Sequence, residues 1–308
     1  MGALLPGEVA LTIAADVYLP ERLSHAPRVL FCLPGGAMNR GYFDLKGEGG
    51  FSFAAAMAAR GFIVATLDHL GVGESSRPLD GHALTPDILT EANAIAMDAI
   101  RAELMSGSLT GRPLPMLRSI GVGHSMGAML TAMQQARRPM HAGLVLLGFG
   151  TAGLAVALSP EEARYAGDPA GARAELVRLA RLRSPDPYPL IQRSAQAREM
   201  FAGNTADPRG VEALKAARAG LLLSAGLFSM IPGSAAPECA AVGVPVFLAL
   251  GDRDIAGPPH AIPAAFTSSD DVTLLVLKMT GHAHFLFPSR EHLFGRLARW
   301  CEDVPQER

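Results

Sequence analysis

The chain of 308 residues has little cysteine, lysine or tryptophan, and no surplus of charge of either sign. Its three cysteines, Cys32, Cys239 and Cys301, are odd in number, far apart and without a C-x-x-C pair. That spacing argues against a disulfide framework and a zinc site of the C-x-x-C type, and it fits a reducing compartment. Lys+Arg is 27 against 29 Asp+Glu, a net charge of −2 with no basic block. A nucleic-acid partner is therefore not expected. The uncharged run from Ala142 to Leu158 is 17 residues long, at the lower edge of what spans a bilayer. It contains Gly143, Gly148, Gly150 and Gly153 and reads as a buried strand and a loop, so no membrane span is expected. The first residues, Met1 to Val9, show no basic segment leading into a long apolar one. No signal peptide is expected, and the location implied is cytoplasmic. What the chain does have is apolar mass: 49% hydrophobic and 18% charged residues, enough to bury a large core and to exclude intrinsic disorder.

Short apolar runs alternate with helical patterns. Val9 to Leu19 reads as an extended edge element. Arg28 to Leu33, Phe62 to Leu67, Ser119 to Val122, Gly143 to Leu147, Val244 to Leu250 and Val272 to Leu277 read as strands apolar on both faces. Between them, Phe51 to Arg60 is Ala-rich and ends at Gly61, a candidate C-cap. Thr85-Pro86-Asp87 opens a helix with a capping residue, a proline in the first turn and an early acid. Helices are also expected from Ala128 to Arg137 and from Arg290 to Cys301. This alternation predicts an α/β fold with a mainly parallel sheet and helices on both faces. The rhythm breaks between residues 151 and 237, where helical pieces (Ala170 to Arg183, Leu190 to Phe201, Val211 to Arg218) and an apolar run, Leu221 to Ile231, suggest an insertion over the sheet, the run either facing a substrate or forming ordinary core.

Gly123-His124-Ser125-Met126-Gly127 matches G-x-S-x-G. With 17 serines and 33 glycines, about 0.2 such matches arise by chance in a chain of this length, so the motif alone is weak. Its setting, between an apolar strand and a helix pattern, is what a nucleophile elbow requires. The glycines have a physical purpose there, since a sharp turn that lifts the serine clear of the sheet brings strand and helix too close for side chains. A serine nucleophile needs a base, and the base needs an orienting acid. Among nine histidines the candidate is His282 in Gly281-His282-Ala283-His284, after the last strand. The acid is offered by Gly251-Asp252-Arg253-Asp254 after the preceding strand, with Asp252 and Asp254 both available. The chain order Ser, Asp, His is that of one known class of triad. His282, His284, Asp252 and Asp254 could be drawn as a metal cluster, but that would leave Ser125 unexplained. No G-x-G-x-x-G follows the first strand, so nicotinamide binding has no support. No metal and no cofactor are expected.

Together, Leu33-Pro-Gly-Gly36, Asp68-His-Leu-Gly-Val-Gly-Glu-Ser75, Gly123-His-Ser-Met-Gly127, Gly251-Asp-Arg-Asp254 and Gly281-His282 resemble the α/β-hydrolase superfamily over nearly the whole chain. The resemblance implies an α/β-hydrolase core from residues 1–150 and 238–308, with 151–237 as a helical cap. It implies Ser125 as nucleophile, His282 as base and Asp254, the second aspartate of the turn, as acid. It also implies an oxyanion hole from the backbone N–H groups of Gly36 and Met126. Pro34 stands where the family often has histidine, which leaves Ala37 as an alternative to Gly36. Ala37, Met38 and Phe228 are further candidates for substrate contact, as is His124, which reads first as packing against the sheet. Met38, Phe43, Leu227, Phe228, Met230 and Ile231 suggest an apolar pocket. The expected activity is hydrolysis of a carboxylic ester of a small hydrophobic substrate. Lactonase, thioesterase, amidase, C–C hydrolase and lyase chemistry, or a non-catalytic ligand-binding role, would use the same residues. The expected partner is a small-molecule substrate.

Overall fold

The computed structural model describes residues 10–191, 203 and 205–305. The first five strands of the sheet are β1 (Ala15–Tyr18), β2 (Arg28–Leu33), β3 (Ile63–Leu67), β4 (Arg118–His124) and β5 (Gly143–Leu147). After a long helical stretch, β6 (Val246–Gly251) and β7 (Val272–Leu277) complete it. The order across the sheet is β1-β3-β2-β4-β5-β6-β7. Only β1 runs antiparallel, pairing Ala15 with Leu67 and Tyr18 with Val64. The parallel strands β2 to β6 are buried on both faces, as their continuous apolar runs demand, whereas β7 at the edge is half-buried apart from Leu275 and Leu277. Their boundaries differ slightly from the sequence pattern. β4 extends to His124, which pairs with Leu147. β6 starts at Val246 because Pro245 has no N–H to enter the ladder.

Period-two alternation divides the core into two layers. Val29, Phe31 and Leu33 of β2 face one layer, with Leu89 and Met97 of α2 (Pro86–Ser106) and Met129 and Leu130 of α3 (Met126–Arg137). Leu30 and Cys32 face the other, with Phe53 and Met57 of α1 (Phe53–Ala58) and Leu293, Phe294 and Leu297 of the carboxyl-terminal helix (Arg290–Asp303). The helix starts follow the local chemistry. Ser52 Oγ accepts the Ala55 N–H at 3.0 Å, and Thr85 caps α2 with Pro86 in its first turn. Gly107, at φ 90°, ends α2 in the left-handed region.

Between β5 and β6 lie α4 (Pro160–Ala163), α5 (Pro169–Arg183), α6 (Pro208–Leu214), α7 (Leu223–Met230) and α8 (Ala236–Ala241). The helical piece expected from Leu190 to Phe201 lies almost wholly outside the described residues. The apolar run from Leu221 to Ile231 forms most of α7, and Leu223, Leu227 and Phe228 are buried in the α2/α3 layer beside Leu176 and Leu179 of α5. The inserted stretch thus shares its core with the sheet. Among the described residues no helix is long and apolar enough to cross a membrane.

The turn from α3 into β5 is closed by a buried clip. Gln135 Nε2 donates to the His141 carbonyl at 3.1 Å, and its Oε1 accepts the N–H groups of Met140 and His141. Ser119 Oγ donates to the Met140 carbonyl at 2.6 Å, so the 3.2 Å contact between His141 Nδ1 and that hydroxyl is a donation by His141. Burial, reinforced by the charge of Arg101, pushes the His141 imidazole down to about 3 from 6.5. The unfolded chain therefore binds a proton here that the folded chain refuses between those two values, and stability falls as pH drops through that window. The expected contribution is a loss of about 3 kcal/mol between pH 7 and pH 4. Urea titrations across this range should show a flatter pH dependence for His141→Gln than for the wild type.

Candidate active site

A sharp turn joins β4 to α3. Ser125 sits there at φ 55°, ψ −121°, a conformation rare for a residue with a side chain. Such backbone strain costs on the order of 1 to 3 kcal/mol. The turn is held by the Ser125 N–H, which donates to the Leu147 carbonyl at 2.8 Å. It is also held by close packing on both sides. A Cβ on Gly123 would stand 2.4 Å from the Ala128 Cα, and one on Gly127 would stand 2.2 Å from the Leu33 carbonyl oxygen. Only hydrogen fits at either position.

Three loops at the carboxyl ends of the strands bring the other candidates to this turn. The Ser125 hydroxyl donates to His282 Nε2 at 2.9 Å. His282 Nδ1 donates to Asp254 Oδ1 at 2.7 Å. Asp254 sits on the turn after β6, where its N–H donates to the Gly251 carbonyl and its Oδ1 accepts the Ala256 N–H at 3.1 Å. Burial would raise the Asp254 carboxyl. The attraction of His282 and the hydrogen bonds from His282 and His284 outweigh it and hold the group well below the ordinary carboxylate range. Asp252 is occupied elsewhere, its Oδ1 accepting the Thr280 N–H at 3.1 Å. Among the described residues no group of His, Cys, Asp and Glu side chains is placed to hold a metal ion.

Behind the serine runs the Pro34–Met38 turn. A Cβ on Gly35 would lie 2.8 Å from His124 Nδ1 and 3.1 Å from Ser125 Cβ, while one on Gly36 would lie 3.8 Å from Met126 Sδ. Gly36 therefore lies between Leu221, whose Cδ1 such a Cβ would meet at 2.8 Å, and the first turn of α3, whose amino end favours negative charge. Ala37 is left-handed at φ 61°, and its carbonyl accepts the Ala219 N–H at 3.0 Å. Met38 is buried and bridges to Arg218. His124 lies beneath the site. Its Nε2–H donates to the His282 carbonyl at 2.9 Å, and its ring lies 4.5 Å from that of Tyr42. Burial, with His282 and His284 nearby, pushes this imidazole well below its usual value. Phe228 is fully buried, its ring 5.2 Å from the Arg173 guanidinium.

The cavity at Ser125 measures about 80 Å³ and is walled by Met126, Phe149, Leu154, Met230 and Ile255 among others. Met230 is shared with the pocket expected from sequence, whereas Met38, Phe43, Leu227, Phe228 and Ile231 are not in its wall. Two larger hollows, of about 370 and 410 Å³, lie around His141 and around Arg40, away from the Ser125–His282 pair.

Two supports of this site carry no strong mark in the sequence. Asn93 Nδ2 donates to His69 Nδ1 at 3.1 Å, and His69 Nε2–H donates to the Pro34 carbonyl at 3.0 Å, a buried chain that pins the turn preceding Gly36. Its one sequence signal is Asn93 itself, a polar residue on the apolar stripe of Leu89 and Met97. The second support is Asp68, fully buried, whose Oδ1 accepts the Arg40 N–H at 2.6 Å and whose Oδ2 accepts the Arg40 guanidinium at 2.5 Å. The Glu74 N–H also donates to Oδ2 at 3.0 Å.

A profile of the alpha/beta hydrolase family matches residues 29–292, and the chain belongs to that family. Solved structures with the same fold include the monoacylglycerol lipase of Paleococcus ferrophilus, 20% identical, with a TM-score of 0.63 over 96% of this chain and 100% of that one. Rv0554 of Mycobacterium tuberculosis is 18% identical, with a TM-score of 0.64 over 99% and 98%. The proline iminopeptidase of Mycobacterium smegmatis is 19% identical, with a TM-score of 0.58 over 96% and 95%. No curated protein matches the chain in sequence.

Removing Asp68 would leave the N–H groups of Arg40 and Glu74 without their buried acceptor, while the Arg40 guanidinium keeps Asp16 and Glu74 as partners. Asp68→Ala is expected to cost about 1 to 3 kcal/mol of stability. Chemical denaturation of the two proteins side by side checks this, and an unchanged midpoint contradicts it.

Proposed function

We propose that the protein is a serine hydrolase that cleaves a carboxylic ester of a small, apolar substrate. The carrying observation is the continuous relay Ser125 Oγ, His282 Nε2, His282 Nδ1, Asp254 Oδ1, with contacts of 2.9 and 2.7 Å at the mouth of a cavity. In this reading His282 takes the Ser125 proton as the hydroxyl attacks the ester carbonyl. Asp254 holds the imidazole tautomer and stabilises its cation. The N–H groups of Gly36 and Met126 receive the oxyanion, and His282 returns the proton to the departing alcohol. Water, deprotonated by His282, then releases the acid from the acyl-serine. Segment 151–237 acts as the cap, with Met230 of α7 in the cavity wall. The small volume supports a small acyl group, since a cavity of about 150 Å³ is filled by benzene. The apolar part of the wall, Met126, Phe149, Leu154, Met230 and Ile255, supports an uncharged one.

p-Nitrophenyl esters from C2 to C12 test this reading with the wild type and Ser125→Ala. The wild type is expected to prefer the shortest acyl chains, and the variant to lose activity by at least about a thousandfold. Equal activity in both would remove Ser125 as nucleophile. An optimum at C8 or beyond would contradict the small acyl site. Cleavage of thioesters or lactones with no ester turnover would replace the bond type while keeping the relay.

A further inference from the structure

We infer that His284 is a positioning residue: its imidazole donates to the second oxygen of Asp254 and so fixes the carboxylate that orients His282. The inference rests on the reading of Ser125, His282 and Asp254 as nucleophile, base and acid.

The geometry is a pincer. His284 Nε2 lies 2.8 Å from Asp254 Oδ2, while His282 Nδ1 lies 2.7 Å from Oδ1. The two histidines leave one loop two residues apart, and the His284 N–H donates to the His282 carbonyl at 3.1 Å. Both imidazole–carboxylate contacts are shut off from water, the Asp254 and His284 side chains being fully buried. Among the described residues the other donor to Oδ2 is the Gly251 N–H, at a long 3.4 Å. A carboxylate turns about its Cβ–Cγ bond unless both oxygens are held. Here the Ala256 N–H and His282 hold Oδ1, and His284 is the short contact on Oδ2.

The tautomer follows from the partner. Ionised Asp254 only accepts hydrogen bonds, so His284 must carry its proton on Nε2. Its Nδ1 has no hydrogen-bond partner among the described residues, and neither has Nδ1 of His124, whose ring lies 5.8 Å away. The titratable groups facing His284 among the described residues are Asp254, His282 and His124, with the Tyr42 ring tilted against His124. The pair Nε2–H to carboxylate is therefore the specific interaction that the His284 side chain makes here.

One consequence separates positioning from mere packing. Without the second donor, the carboxylate loses its orientation and His282 its alignment with Ser125. The rate at which a fluorophosphonate labels Ser125 reads this loss and needs no knowledge of the natural substrate. His284→Leu is expected to label about ten- to a hundredfold more slowly, a range set by small misplacements in a relay. His284→Gln, which can place an amide N–H near the lost Nε2–H, should recover most of the rate. A folded His284→Leu with the wild-type rate overturns the inference, as does a slow variant that Gln does not rescue. Nitrogen NMR of histidine-labelled wild type decides independently of whether His284→Leu folds. A proton on His284 Nε2 supports the inference, and one on Nδ1 overturns it. A wild type that the reagent does not label overturns the catalytic reading as well, whereas a labelled wild type with an unaffected His284→Leu overturns this inference alone.

Discussion

The approach of α3 to the ends of β2 and β4 is the constraint on which the rest of the site depends. Gly127 brings the first turn of α3 so near the Leu33 carbonyl that a Cβ would stand 2.2 Å from it. That closeness forces Ser125 into its strained positive-φ conformation and raises its hydroxyl above the sheet. It also sets the Pro34–Met38 turn against Met126. The strain at Ser125 persists because strand pairing, helix packing and the bond to the Leu147 carbonyl all hold the same few residues. A looser junction would relax the serine and separate it from Gly36 together.

Two buried carboxylates stabilise the loops that meet there. Asp68 is surrounded by N–H donors from Arg40 and Glu74 and ties the turn after β2 to the turn after β3. Asp254 does the same for the turns after β6 and β7, using His282 and His284. Neither charge could remain buried without such donors, because an unpaired carboxylate in an apolar interior would take up a proton instead. The loops are irregular and their termini lie far apart in sequence. Charged hydrogen bonds across them supply the directional restraint that apolar packing lacks.

The inserted stretch between β5 and β6 has a double character. Leu176, Leu179, Leu227 and Phe228 join the core on the α2/α3 layer, so much of the insertion is part of the hydrophobic body. Met230, at the end of α7, instead reaches the wall of the Ser125 cavity. One apolar helix thus contributes both to stability and to the size of the space above the serine. The chain beyond Ile191 up to residue 202 lies outside the described residues.

Much of the architecture was legible in the chain. Strand positions followed from apolar runs ended by glycine and proline, because a strand buried on both faces has no room for charge. The elbow followed from two glycines flanking a serine, and the candidate relay from three polar groups, each just beyond a strand. Chain order could not choose between Asp252 and Asp254, since both follow β6 within three residues. The path of the turn decides that, sending Asp252 to the Thr280 N–H and Asp254 to His282. Spacing left open whether the run holding Phe228 is core or faces a substrate, and it did not reveal that His284, His69 and Asn93 brace the site. These roles arise where segments distant in the chain meet, and a side chain's partner is set by that meeting. Local sequence determined which elements form and which chemistry each loop carries, because propensity and hydrophobic period act over a few residues. Tertiary structure alone decided which polar groups share a buried carboxylate and how little space is left above Ser125, because both depend on distances between segments that packing sets.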